Sequence, residues 1–124
     1  MLTPRILTGV VVHGYGRGSK QLGFPTANLH GQSLPEEDFG VYAGYTSVGS
    51  KKDLPSVISI GKNPTFNEKE PTVEVHILDF DEDIYGEQIT CKLVSYIRPM
   101  VSFKSINELI DSINSDIRMA RELL

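Results

Sequence analysis

TVEVHILDFDEDIYGEQITCKLVSYI, Thr72 to Ile97, holds two runs of alternating side chains around an acidic centre. In the first run Val73, Val75 and Ile77 alternate with Glu74 and His76; in the second Ile89, Cys91, Leu93 and Ile97 fall on one face. A period of two is what a strand with one buried face requires. Asp79 to Asp83, followed by Tyr85-Gly86, most simply links the two runs as a hairpin with a solvated loop, which makes them antiparallel neighbours. Working outward, further extended segments are expected at Ile6 to His13, Gly40 to Val48 and Ser56 to Ile60, each bounded by Gly, Pro, Asn or acidic residues. After Pro99 the period changes. Ile106, Leu109, Ile110, Ile113, Ile117, Ala120 and Leu124 recur at helical spacing, and Ser105 with Glu108 three residues later supplies a capping box at the start. One helix cannot provide the crossovers of a parallel sheet, whereas several antiparallel strands can curl into a barrel with the helix packed outside. The expectation is an all-β fold, a small β-barrel with one C-terminal α-helix.

The chain has 124 residues, room for one ordinary domain spanning 1–124. Its 40% hydrophobic and 23% charged content places it among soluble globular domains and excludes the disordered and membrane classes. No apolar run approaches the roughly 20 residues of a membrane span, and Met1-Leu2-Thr3-Pro4-Arg5 lacks the apolar stretch of a secretory signal, so a cytoplasmic address and no membrane partner are expected. Cys91, the single cysteine, cannot form an internal disulfide and reads as a buried structural thiol between Ile89 and Leu93. A net charge of −4 and the lack of interleaved aromatic and basic residues argue against nucleic acid as a partner. Asp79, Asp81 and Asp83 fail as a calcium loop, because Ile84 and Thr90 stand where glycine and glutamate are required. A monomer is expected.

The most unusual segment is GYGRGSKQLGFPTAN, Gly14 to Asn28. Gly14, Gly16 and Gly18 alternate, with Arg17 and Lys20 close by, and glycine backbone can aim several N–H groups at an anion while a base neutralises it. The spacing is neither a Walker A loop nor the glycine pattern of dinucleotide folds, and the same residues would also suit a mobile surface loop. In Pro25-Thr26-Ala27-Asn28, an extended chain would put the Thr26 hydroxyl and the Asn28 amide carbonyl on the same side. These are hard oxygens of the kind Mg²⁺ accepts when phosphates and water complete its shell; they would equally serve to satisfy a turn.

Gly14 to Asn28 resembles the signature of the riboflavin kinase family, in which a glycine-rich basic flap leads into Pro-Thr-Ala-Asn. The resemblance continues in family order through GVYAG (Gly40 to Gly44), SIGKNPTF (Ser59 to Phe66), VEVHI (Val73 to Ile77), YGE (Tyr85 to Glu87) and YIRP (Tyr96 to Pro99), covering nearly the whole chain. It implies a closed antiparallel six-stranded Greek-key barrel, with ATP and riboflavin meeting at its mouth beneath flaps and leaving as ADP and FMN. By the same resemblance Gly14, Gly18 and Lys20 cradle the nucleotide phosphates, and Thr26 and Asn28 hold Mg²⁺, or Zn²⁺ in its place. Glu74 matches the family's catalytic carboxylate, although its alternation with Val73 and Val75 would also suit a plain outward-facing strand residue. Ile77 and Tyr85 match positions near adenine and its ribose, and Arg98, Phe103 and Leu109 match positions facing the flavin. Met100-Val101-Ser102 departs from relatives that carry charge there, which removes a polar contact to the flavin from this loop. The alternative is a flavin- or nucleotide-binding barrel without catalysis, which the presence of Thr26, Asn28 and Glu74 opposes.

Overall fold

Residues 5–12, 26–30, 34–62, 71–80 and 82–124 are described in the computed structural model of the chain. They form β1 (Arg5–Val12), β2 (Ala27–Leu29), β3 (Gly40–Val48), β4 (Lys51–Gly61), β5 (Thr72–Ile77), β6 (Gln88–Arg98) and α1 (Ile106–Leu123). All strand pairs are antiparallel, and the sheet closes in the order β1-β2-β5-β4-β3-β6, with β6 returning to β1. Side chains alternate inward and outward as the pleat demands. Leu7, Leu29, Ile58, Val73, Val75 and Leu93 fill the interior, each nearly or wholly withdrawn from solvent.

The expected hairpin between the two runs of Thr72 to Ile97 does not form. β5 lies between β2 and β4, while β6 lies between β1 and β3. The acidic linker instead crosses the end of the barrel, tied to β4 by the Leu78 N–H donated to the Pro55 carbonyl at 2.9 Å. At its far side the Gly86 N–H donates to the Val11 carbonyl, also at 2.9 Å. Leu78 and Ile84 are buried within this linker, so it is a cover for the core and not a purely solvated loop. Alternation reveals which face of a strand is apolar but not which neighbour takes its edge, and both strands find two neighbours in the closed ring.

Two further differences follow from local geometry. The short strand β2 has only three residues, too few for a period to show. Along β6 the register against β3 shifts twice, between Ala43 and Gly44 and between Val41 and Tyr42. These irregularities turn Ile97 away from Ile89, Cys91 and Leu93, so that it packs on the second apolar cluster under α1. That cluster, built on the outward-facing Val41, Ala43 and Val57, is covered by Ile117, Ala120 and Leu124. One sheet thus carries two apolar layers, a barrel interior and a strip beneath the helix. The helix starts where expected: the Ser105 hydroxyl accepts the Glu108 N–H at 3.1 Å, and the Glu108 carboxylate reaches back to the Lys104 N–H at 3.0 Å. The reciprocal bond of the box therefore falls one residue earlier than the cap itself.

Candidate active site

On the outer wall of the barrel, successive register pairs connect five strands in one row. Asn28 of β2 faces Glu74 of β5, Glu74 faces Ser59 of β4, Ser59 faces Val41 of β3, and Val41 faces Arg98 of β6. The alternation of β5 makes this possible, because Val73, Val75 and Ile77 take the interior and leave Glu74 and His76 on the outside. A pocket of about 80 Å³ opens beside the row, between these strands and α1. Thr26, Glu74 and His76 line one end; Arg98, Phe103 and Leu109 line the other. The described part of this candidate site is on the outer wall beside the helix.

Thr26 and Glu74 are in direct contact, with the Thr26 hydroxyl donating to the Glu74 Oε1 at 3.3 Å. That bond uses the hydroxyl proton and leaves the lone pairs of the same oxygen available to a cation. Asn28 Oδ1 is buried and has no hydrogen-bond partner among the described residues. A buried carbonyl oxygen without a donor is costly, and a cation is one group that would satisfy it. Among the described residues no three His, Cys, Asp or Glu side chains gather as a metal cluster, so a metal here would rely on hydroxyl and amide oxygens plus oxygens brought by a phosphate ligand.

At the other end Arg98 is held by three hydrogen bonds: Nε to Asp116 Oδ1 at 2.8 Å, Nη2 to Asp116 Oδ2 at 2.8 Å, and Nη1 to the Pro99 carbonyl at 3.1 Å. Its guanidinium lies 5.5 Å from the centre of the Phe103 ring. Leu109 of α1, 4% exposed, forms the apolar floor. Near β5, Arg121 of α1 donates to both oxygens of Asp79, and that bond holds the Asp79 carboxyl below the usual carboxylate range.

The structure therefore brings Thr26, Asn28 and Glu74 together, and Arg98, Phe103 and Leu109 together, along a single wall. It does not bring Ile77 or Tyr85 to this pocket. The Ile77 side chain is in the barrel interior, so only its backbone is available to a ligand, and Tyr85 stands 55% exposed on the linker before β6. Gly14, Gly18 and Lys20 lie outside the described residues. Asp116 escaped the sequence reading. Its signal was an acidic residue in the otherwise apolar stripe of Leu109, Ile113, Ile117 and Ala120, where a fifth apolar residue would be at home.

A family model described as riboflavin kinase (flavokinase) matches residues 1–124. The chain belongs to the riboflavin kinase family. Within the family it is 44% identical over 126 residues to the riboflavin kinase of Homo sapiens, covering 98% of this chain and 81% of the human protein. It is 43% identical over 128 residues to the bifunctional riboflavin kinase/FMN phosphatase of Arabidopsis thaliana, covering 99% of this chain but 34% of that longer protein. The solved riboflavin kinase of Trypanosoma brucei superposes with a TM-score of 0.75 at 32% identity, covering 98% of this chain and 77% of the other. The closed barrel with its C-terminal helix is therefore the riboflavin kinase fold. Among the described residues no helix is long and apolar enough to cross a membrane.

Proposed function

We infer that this domain transfers the γ-phosphate of ATP to the 5′-hydroxyl of riboflavin, giving FMN and ADP, and that the row from Asn28 to Arg98 is where the two substrates meet. The observation that carries this reading is the row itself. It sets an acid and two oxygen ligands at one end and a cation over an aromatic ring at the other. Glu74 and Arg98 are three inter-strand steps apart, roughly 14 Å at ~4.8 Å per step. That span suits an extended five-carbon chain with its hydroxyl at Glu74 and a tricyclic ring against Arg98, Phe103 and Leu109.

Phosphoryl transfer asks a protein mainly to align the attacking oxygen and neutralise developing charge. Glu74 is the group on the wall that accepts the proton of the attacking hydroxyl. The bond from Thr26 fixes one of its oxygens and so the plane of the carboxylate. Thr26 and Asn28 fit Mg²⁺ by donor type and by the unsatisfied oxygen of Asn28. When bound, the ion would offset negative charge on the phosphate oxygens. A pocket of about 80 Å³ is smaller than the ~300 Å³ and upward of typical ligand sites.

The test is FMN formation from ATP and riboflavin, followed by chromatography with and without added Mg²⁺. FMN that appears only with the metal supports the reading. Binding of riboflavin without turnover under any metal condition would leave a non-catalytic flavin-binding barrel instead.

A further inference from the structure

The geometry points to Asp116 as the positioning residue for Arg98, and through Arg98 as a determinant of affinity for the flavin ring. This rests on the reading of the pocket as the flavin site. Asp116 is the only buried carboxylate among the described residues, 4% exposed, and it projects from α1 into the pocket wall. Both of its oxygens are taken by Arg98, each at 2.8 Å, in the two-pronged geometry that fixes the plane of a guanidinium. With the third bond to the Pro99 carbonyl, three of the five N–H donors of Arg98 are used. The remaining two N–H groups, one on each terminal nitrogen, are free of these bonds, while the guanidinium lies over Phe103. A flat heteroaromatic ligand with a carbonyl edge would find there an oriented donor and a stacked ring.

Packing alone gives no reason for an acid at this position. The same face of α1 presents Leu109, Ile113, Ile117 and Ala120, and burying a charged pair stabilises a fold no better, and often worse, than apolar residues of similar volume. A purely structural site would continue the apolar stripe. What the pair adds is one fixed orientation of Arg98, whose side chain would otherwise sample several rotamers at the pocket rim.

The experiment measures KM for riboflavin, KM for ATP and kcat by FMN formation, alongside a thermal melt. The proteins are the wild type, Arg98→Ala, Asp116→Asn, the double variant of these two, and an apolar pair Arg98→Met with Asp116→Leu. Asp116→Asn is expected to raise the riboflavin KM at least about tenfold, with ATP KM and kcat changed less than about threefold. Arg98→Ala should do the same, and the double variant should be no worse than Arg98→Ala, because the two residues act as one unit. If Asp116→Asn does not fold, the melt of the apolar pair decides whether the ion pair serves the fold. That variant is expected to melt at or above the wild-type temperature while still raising the riboflavin KM. A raised KM in Arg98→Ala with a normal KM in Asp116→Asn overturns the positioning role alone. An apolar pair that melts well below the wild type shows that the ion pair serves the fold and overturns the positioning role likewise. An unchanged riboflavin KM in Arg98→Ala, with FMN still formed, overturns the assignment of the pocket to the flavin and the role of Asp116 with it.

Discussion

Glu74 and Asn28 are register partners on neighbouring strands, yet their expected roles separate cleanly by measurement. Glu74→Gln keeps the shape and the bond from Thr26 but removes the charge that accepts a proton. It should lower kcat and kcat/KM together by at least about 100-fold while riboflavin and ATP still bind. A loss below about fivefold in a folded, substrate-binding variant would remove Glu74 from proton transfer. Asn28→Ala removes the oxygen that has no partner among the described residues. It should weaken binding of ADP with Mg²⁺ much more than binding of ADP alone, as read by titration calorimetry. Equal weakening in the two conditions would mean that the amide supports the strand and not the ion. Both residues were singled out in the sequence by the family resemblance of Pro-Thr-Ala-Asn and VEVHI, which are local strings, whereas the β5 alternation alone gave only an outward-facing Glu74. Asp116 was not legible, since its partner Arg98 is 18 positions away and the pairing exists only once α1 lies on the wall.

Most strand and helix boundaries followed from local chemistry, but β4 begins at Lys51, five residues before the expected Ser56, and neighbour choice did not follow at all. Gly40 to Val48 and the helix after Ser105 fall where the pattern placed them, because β-alternation and a capping serine act within a few residues. The error on the β5 to β6 connection arose because its acidic residues resemble a solvated turn, while the decisive contacts, Leu78 to β4 and Gly86 to β1, are distant in sequence. Two changes test the elements. Ser105→Ala removes the hydroxyl that accepts the Glu108 N–H and should cost about 1 kcal/mol, seen as a lower urea midpoint with unchanged barrel signals. Gly44→Ala acts at the point where β3 approaches the irregular stretch of β6. A Cβ there would come within 2.2 Å of the Lys92 carbonyl oxygen and 2.8 Å of Ile58 Cδ1. Because the first contact is backbone, it should cost about 3 kcal/mol, measured by the same denaturation.

At the scale of the whole molecule, the closed ring withdraws Cys91 from water at the end of a short chain of bonds, with the Ser56 hydroxyl donating to Thr46 at 2.8 Å and the Thr46 hydroxyl donating to the Cys91 sulfur at 3.6 Å. Burial pushes the Cys91 thiol up to about 11, against the smaller downward pull of the Thr46 bond. In the unfolded chain a thiol loses its proton near pH ~8.5. Below that pH both states keep the proton, and the full contribution to stability is present. Above it only the unfolded state ionises, so the contribution declines and is lost by the time the folded thiol titrates. The loss is on the order of 3 kcal/mol between about pH 8.5 and 11. Tyrosines and lysines titrate in the same range, so the check is the difference in urea midpoint between wild type and Cys91→Ala at pH 8 and pH 10.5. The variant should lose less stability over that interval. Ring closure also has a consequence in time. The seam between β1 and β6 joins Thr8 to Thr90, residues 82 positions apart, and it cannot zip until β6 has been synthesised. Contacts so distant slow folding into the millisecond-to-second range typical of barrels. Throughout that interval the outer edge of β1 is an unpaired template, so a ribosome making this domain exposes its first strand to other chains for almost the whole length of the message that encodes the barrel.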